Sequence, residues 1–305
     1  MKNTILSLLV LLLAAGAIQA TFASRSAAAQ DVKFSSTSNF VLLDASVKNS
    51  KGGYAAGLAK DNFQIYENGK LQTISHFSRE DVPVTVGLVV DTSGSMTSKY
   101  SQVVTAAMAF ITASNRKDEI FVVNFNDTVT EGLPPELPFT DDIVKLREAL
   151  SMARPQGRTA LYDAVAVALK HLDQGQRDKK TLILISDGGD NHSTHTFDEV
   201  KRMVEESRAT IYTIGLFDES DQDSNPHVLR QLSGVSGGET YLPQDVSEVL
   251  EICRRVASDM RARYTIGYAP VGDEAKGSLR KIKVHATQPD GQKLVVRTRT
   301  SYLVP

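Results

Sequence analysis

The order of apolar and polar positions divides the chain into zones of different period. Over residues 83–264, buried-type strands alternate with amphipathic helices. Val84 to Val90 reads as a continuous strand, apolar but for Thr85, as expected where both faces are covered. Tyr100, Val103, Val104, Ala107 and Ile111 then recur at helical spacing. Ile120 to Phe125, Leu182 to Ile185 and Ile211 to Leu216 read as further buried strands, and Tyr241-Leu242 as a short edge strand. Helical faces return at Leu161, Val165, Ala168, Leu169 and Leu172, again at Phe197, Val200, Met203 and Val204, and along a final helix over 245–263. Such alternation predicts an α/β fold, a doubly wound and mostly parallel sheet with helices on both sides.

The flanks have period two. In residues 30–82, Phe40 to Val47 reads as a strand, and Phe63-Gln64-Ile65-Tyr66-Glu67 alternates before Asn68-Gly69. Asn-Gly between alternating runs signals a hairpin, because both residues tolerate positive φ. Leu71 to Phe77 continues the pattern. In residues 265–305, the strands expected are Tyr264 to Tyr268, Leu279 to Ala286 and, after the Pro289-Asp290-Gly291 turn, Leu294 to Thr300. A ribbon of two or three strands is marginal by itself. The two zones are therefore expected to pack into one accessory, Ig-like β-sandwich, with the α/β domain inserted between them. Two separate appendages are the alternative.

The first 29 residues stand apart. Lys2, an apolar run from Ile5 to Ala15, and Ala27-Ala28-Ala29 follow the order of a secretory signal peptide. The run is shorter than the roughly 20 residues a membrane span needs, so cleavage is preferred over an uncleaved anchor, with no stable membrane insertion afterwards. A single cysteine, Cys253, rules out an internal disulfide. Export without disulfides suits a bacterial periplasm or exterior. Cys253 falls on the apolar face of the last helix and reads as a buried small hydrophobe. The formal charge is −2, with acids and bases interspersed, and no basic stripe suggests nucleic acid.

The candidate chemistry lies at strand ends. Asp91, Ser93 and Ser95 follow the first buried strand, and ligands of open α/β sheets bind beyond such carboxyl ends. Carboxylate and hydroxyl oxygens are hard ligands that suit Mg²⁺, Mn²⁺ or Ca²⁺. Thr159, before the helix near Leu161, and Asp187, after the third apolar strand, are further candidates. Taken alone, an Asp with two nearby serines is more often a cap and turn. His192 and His195, beside Asp190, suggest either a second metal site or a solvated loop in which Ser193 and Thr194 cap a helix.

Asp91-Thr92-Ser93-Gly94-Ser95, Thr159 and Ser186-Asp187-Gly188, in that order, resemble the metal-ion-dependent adhesion site (MIDAS) of von Willebrand factor type A domains. The flanks are similar to those of bacterial exported "VWFA-related" proteins, through Phe63 to Phe77 and Tyr264 to Leu303. The resemblance implies a site in which Ser93 and Ser95 bind the ion directly and Thr159 binds directly or through water. Asp91 and Asp187 would act mainly through bridging waters. It implies Mg²⁺ as first choice, with Mn²⁺ or Ca²⁺ as alternatives, and a protein partner that presents Asp or Glu to the metal. It also implies a last helix that shifts on ligation. Because that helix runs straight into the C-terminal β zone, occupancy could alter domain orientation.

Catalysis finds less support. There is no Gly-x-Ser-x-Gly elbow, and no general acid or base stands out by role. Metal-assisted hydrolysis through Asp91, Asp187 and Asp190 is a minor alternative. A purely structural role in an envelope assembly is a larger one. Oligomeric state is not legible.

Overall fold

The computed structural model describes residues 40–217, 223–271 and 275–304, and the expected signal segment at 1–29 lies outside them. The chain begins with β1 (Val41–Lys48), β2 (Phe63–Glu67), β3 (Lys70–Gln72) and β4 (Ile74–Ser78). There follow β5 (Val84–Asp91), α1 (Tyr100–Ala113), β6 (Glu119–Phe125), β7 (Val129–Glu131), α2 (Ile143–Ser151), α3 (Leu161–Leu172) and β8 (Lys179–Ser186). Next are α4 (Phe197–Glu206), β9 (Thr210–Gly215), α5 (Pro226–Ser236), β10 (Thr240–Tyr241) and α6 (Val249–Ala262). The last strands are β11 (Tyr264–Tyr268), β12 (Leu279–Ala286), β13 (Val295–Arg297) and β14 (Ser301–Leu303).

The central sheet has the order β10-β9-β8-β5-β6-β7. All its pairings are parallel except that of the short edge strand β7 with β6. Every residue of β5 is buried, which accounts for the apolar run. Helix α1 packs beside α2 and α6, while α3, α4 and α5 lie next to one another in a second layer. This is the mixed α/β architecture expected. No helix among the described residues is long and apolar enough to cross a membrane.

Four elements escaped the sequence reading: α2, α5 and the three-residue strands β7 and β14. Helix α2 buries Leu146, Ala149 and Leu150 but exposes Ile143 and Val144, so its apolar stripe is blurred. Helix α5 carries Gly234 and buries Ser233 and Ser236. Its signals were at its ends: Asn225 caps it, Pro226 begins it, and left-handed Gly237 stops it. Strand β7, with three residues, is too short to show a period.

The terminal strands form two antiparallel sheets, β13-β1-β11-β4 and β14-β12-β2-β3, around one core that includes Leu43, Ile65, Ile266 and Tyr268. Each sheet mixes strands from both ends of the chain. The run Leu71 to Phe77 is not one strand. It breaks at Thr73, because β3 pairs with β2 whereas β4 crosses to pair with β11. Leu294 to Thr300 likewise shrinks to β13, which pairs with β1, before β14 returns to β12. The Asn68-Gly69 turn has φ of 48° and 80°, as a tight hairpin requires.

The two parts join at a buried polar cluster. Arg263, which follows α6, donates to Tyr212 Oη at 3.0 Å and Asp259 Oδ2 at 3.2 Å. It also donates to the carbonyls of Asp44 at 2.8 Å and Gly237 at 2.9 Å. Ser46 of β1 donates to Asp259 at 2.5 Å. Cys253 is buried on α6, and burial pushes its thiol up to about 12.

A second buried group closes the sandwich core. The Glu67 carboxylate accepts from Tyr268 Oη at 2.6 Å, from Tyr302 Oη at 2.9 Å and from the Arg280 guanidinium. Glu67→Ala removes the acceptor common to all three and is expected to destabilise the protein by about 3–5 kcal/mol, the usual cost of breaking a buried ion pair from one side. Denaturant unfolding of the variant checks this, and a loss below about 1 kcal/mol, the worth of an exposed pair, would show that the cluster is not sealed from water.

Candidate metal centre

The site is built on adjacency in the sheet. β5 and β8 are parallel neighbours, with Val90 opposite Ile185, so their carboxyl ends emerge side by side. Asp91 ends one strand and Asp187 follows the other. Asp91 is fully buried, Ser93 and Asp187 nearly so, and Ser95 is half-buried.

Hydrogen bonds knit the loops together. Asp91 Oδ1 accepts from Ser93 N at 2.8 Å and Asp91 Oδ2 from Ser186 Oγ at 2.6 Å. Ser95 Oγ donates to Asp187 Oδ2 at 2.6 Å and lies 3.1 Å from Ser93 Oγ. Gly189 N donates to Asp187 Oδ1 at 3.0 Å. A 3-10 turn, Gly94–Met96, carries Ser95 away from the strand. Behind it Lys99 is anchored, its Nζ donating to Leu216 O at 2.9 Å.

Thr159 stands on the third loop. Gly94 N donates to Gly157 O at 3.1 Å, which ties that loop to the serine turn. The Thr159 carbonyl accepts from Asn191 N and His192 N, both at 3.0 Å, and Thr159 N donates to Asn191 Oδ1 at 2.9 Å. All five sequence candidates thus lie on three loops that bond to one another at one edge of the sheet.

The electrostatics are unusual. No Lys or Arg among the described residues forms an ion pair with Asp91 or Asp187. Burial, and then the neighbouring Asp187 charge, push the Asp91 carboxyl up to about 7, against the pull of the Ser186 and Ser93 donors. Buried carboxylates are normally paired with a cation or engaged with a metal. The donor set at this edge is all oxygen and hard, which fits a small divalent ion and not a thiophilic one.

The histidines do other work. His195 Nδ1 lies 2.7 Å from Asp163 Oδ1, whereas His192 Nε2 faces Arg158 Nη2 at 3.4 Å, so the two rings do not converge. Among the described residues, no three His, Cys, Asp or Glu side chains gather as a metal cluster. Ser193 and Thr194 do not cap α4. Thr196 does, in a capping box with Glu199. Ser193 instead bonds Asp190 and the N–H of Asp163, and Asp190 accepts from Tyr162 N. The 190–193 loop thereby caps α3, whose own Ala160 has no capping side chain. Burial alone would raise the Asp163 carboxyl, yet N–H donors from Thr194 and His195 hold it at about 2. The sequence reading had Ser193 capping a helix, but local pattern gives no sign that the helix is α3, whose Asp163 lies 30 residues earlier.

Residues 86–189 match the family described as von Willebrand factor type A domain. The chain carries a von Willebrand factor type A domain. Among solved structures, a von Willebrand factor type A protein from Catenulispora acidiphila is 15% identical, with a TM-score of 0.54 over 89% of this chain and 75% of that one. Proximal thread matrix protein 1 from the mussel byssus, in a form with a zinc-occupied MIDAS motif, is 15% identical, with a TM-score of 0.52 over 64% of this chain and 50% of that one. At such identities the likeness is one of fold. No curated protein matches the chain in sequence. The von Willebrand factor type A fold is a protein-interaction fold, often with a MIDAS metal site.

The loop after Asp187 depends on one glycine. Gly188 has φ of +79°, and a Cβ there would meet Asn225 O at 2.3 Å. Gly188→Ala is expected to lose about 1–3 kcal/mol through strain and overpacking. Gly234, on the exposed face of α5, has nothing within 4 Å. Gly234→Ala should gain about 0.5–1 kcal/mol. Thermal melts of the pair check both signs, and equal effects would refute the assignment of strain to the Asp187 loop.

Proposed function

We propose that the von Willebrand domain is a metal-dependent protein-binding module, exported to the periplasm or exterior of a bacterial cell. The observation that carries this reading is the pair of buried carboxylates, Asp91 and Asp187, held beside each other with hydroxyls between them and no cationic side chain to offset them.

In this reading Ser93 and Ser95 hold a divalent ion directly, Mg²⁺ being the first choice. Thr159 holds it directly or through water, and Asp91 and Asp187 orient the hydroxyls and bound waters. Neutral direct ligands leave the ion electrophilic, with an open position that attracts an Asp or Glu of a protein partner. The chain's own residues supply orientation. Ser186 fixes the rotamer of Asp91, Gly189 N fixes that of Asp187, and the Gly94 to Gly157 bond sets the serine turn against the Thr159 loop. Asp163 and Asp190, the carboxylates beside the two histidines, are engaged in holding the 190–195 loop. Residues 30–82 and 265–305 are read as one Ig-like sandwich domain that presents the binding domain inserted in it. The pattern of residues 1–29 supports export.

Calorimetric titration of Mg²⁺ and Mn²⁺ tests the site. One-site saturable binding is expected in the wild type, and none in Ser93→Ala/Ser95→Ala, which in EDTA should still unfold cooperatively, less stable by about 1–3 kcal/mol for the lost Ser95-to-Asp187 hydrogen bond. Wild-type binding that survives the double substitution would place the ion elsewhere. Absence of binding in both would favour a purely structural role in an envelope assembly.

A further inference from the structure

The outer face of the sheet β14-β12-β2-β3 is a second surface with its own chemistry. β12 alternates strictly. Arg280 and Ile282 point into the sandwich, while Leu279, Lys281, Lys283 and His285 are exposed on the other side. β12 is an inner strand, between β14 and β2. Its lysines are therefore not there to guard an edge from strand pairing, the common use of lysine on sheets.

Neither Lys281 nor Lys283 forms an ion pair with a carboxylate among the described residues. Tyr66 of β2 lies opposite Lys283, and its ring meets the His285 ring edge-on at 5.7 Å. Leu279 is 44% exposed, and Leu71, opposite Tyr66, is 62% exposed. A trough of about 650 Å³ runs along this face, walled by Tyr66 and Gly69 on one side and by Thr300 and Ser301 on the other. Glu205 reaches its margin, where it accepts from Ser301 Oγ at 3.4 Å. A chain with formal charge −2 thus gathers unpaired cations and exposed apolar groups in a concave site.

We infer that this trough binds an extended acidic peptide segment of a partner, with carboxylates at every second residue. The argument is one of spacing and shape. Successive outward side chains on β12 are about 6.8 Å apart, because a strand rises about 3.4 Å per residue. An extended chain lying along β12 repeats its own side chains at that interval, so an acid-x-acid-x-acid segment sets one carboxylate over each of Lys281, Lys283 and His285. An apolar residue one step further along meets Leu279. A bilayer surface is flat and does not fill a trough, and a disordered polyanion has no reason to prefer this period. The surface is independent of the metal centre, and the inference does not rest on that reading.

The test is fluorescence anisotropy of a labelled octapeptide with glutamate at alternate positions and leucine at one end, titrated with the purified protein in EDTA. An isomeric peptide with its glutamates consecutive serves as comparison. Saturable binding of the alternating peptide is expected, weaker for the isomer and weakening with added salt. Lys281→Glu/Lys283→Glu should reduce it roughly tenfold or more, and Lys281→Gln/Lys283→Gln less, both being exposed changes that leave the melting curve in place. Ser93→Ala/Ser95→Ala should leave it unchanged. Equal binding of the two isomers would overturn the spacing argument. Retention in both lysine variants, loss in the serine variant, or sedimentation with phosphatidylglycerol vesicles in place of peptide binding would overturn the site.

Discussion

Parallel pairing between β5 and β8 is the constraint on which the rest of the molecule depends. In a parallel sheet the carboxyl ends of neighbouring strands emerge at the same edge, so whatever follows Val90 and Ile185 is brought together. β5 is buried on both faces, and a slip of one residue would send every side chain to the wrong side. The register of the apolar run therefore fixes the position of Asp91 relative to Asp187. The chain places acids where hydrophobic burial has left them no solvent, and then surrounds them with donors. Ser186, Ser93, Ser95 and Gly189 each spend a hydrogen bond on one of the two carboxylates. Those bonds satisfy the oxygens without cancelling their charge.

That same logic explains what the sequence disclosed and what it hid. A strand covered on both faces has one solution, a continuous apolar run, so β5, β6 and β9 were legible with their ends within a residue, whereas β8 begins three residues before its apolar run, at Lys179. Of the candidate metal residues, Asp91 and Asp187 stand at two of those ends and are proposed from that position, whereas Thr159 follows no strand and stands before α3. Elements with weak burial were not legible. α2 shows Ile143 and Val144 to solvent and α5 hides serines, because tertiary contacts and not periodicity decide their place. In the loop 190–195, Ser193 caps a helix as expected, but that helix is α3, whose Asp163 N–H it accepts. The cap of α4 is Thr196, whose partner Glu199 stands three residues on, while Thr194 bonds Asp163.

The flanks illustrate a limit of alternation. Period two tells which side chains face inward but not which strand is the neighbour. Leu71 to Phe77 keeps an alternating pattern across Thr73 although the chain leaves one sheet for the other. The exchange has a consequence for topology. Since β1 pairs with both β11 and β13, and β12 with β2, neither end of the chain can complete a sheet alone. The sandwich core therefore requires the two ends of the central α/β segment to lie close together.

The junction decides how freely the two parts can move. A last helix that leads directly into β11 invites the idea that events at the metal edge reorient the sandwich. The contacts at Arg263 oppose a loose version of it. Its guanidinium spans α6, β9, β1 and the Gly237 loop, and is nearly sealed from solvent along with Asp259. Burial alone would lower its pKa, but the Tyr212, Asp259 and Asp44 neighbours raise it beyond the usual arginine range, so the charge is permanent. Rotating β1 away from α6 would strip that charge of its partners, at a cost of about 3–5 kcal/mol by comparison with other one-sided breaks of buried pairs. A ligand could offset this only by binding the rotated form about a hundred-fold to several thousand-fold more tightly, roughly a factor of ten for each 1.4 kcal/mol. Any movement of α6 is therefore expected to carry β1 and β11 with it as one body, or to be confined to its N-terminal turns, beyond the reach of Arg263.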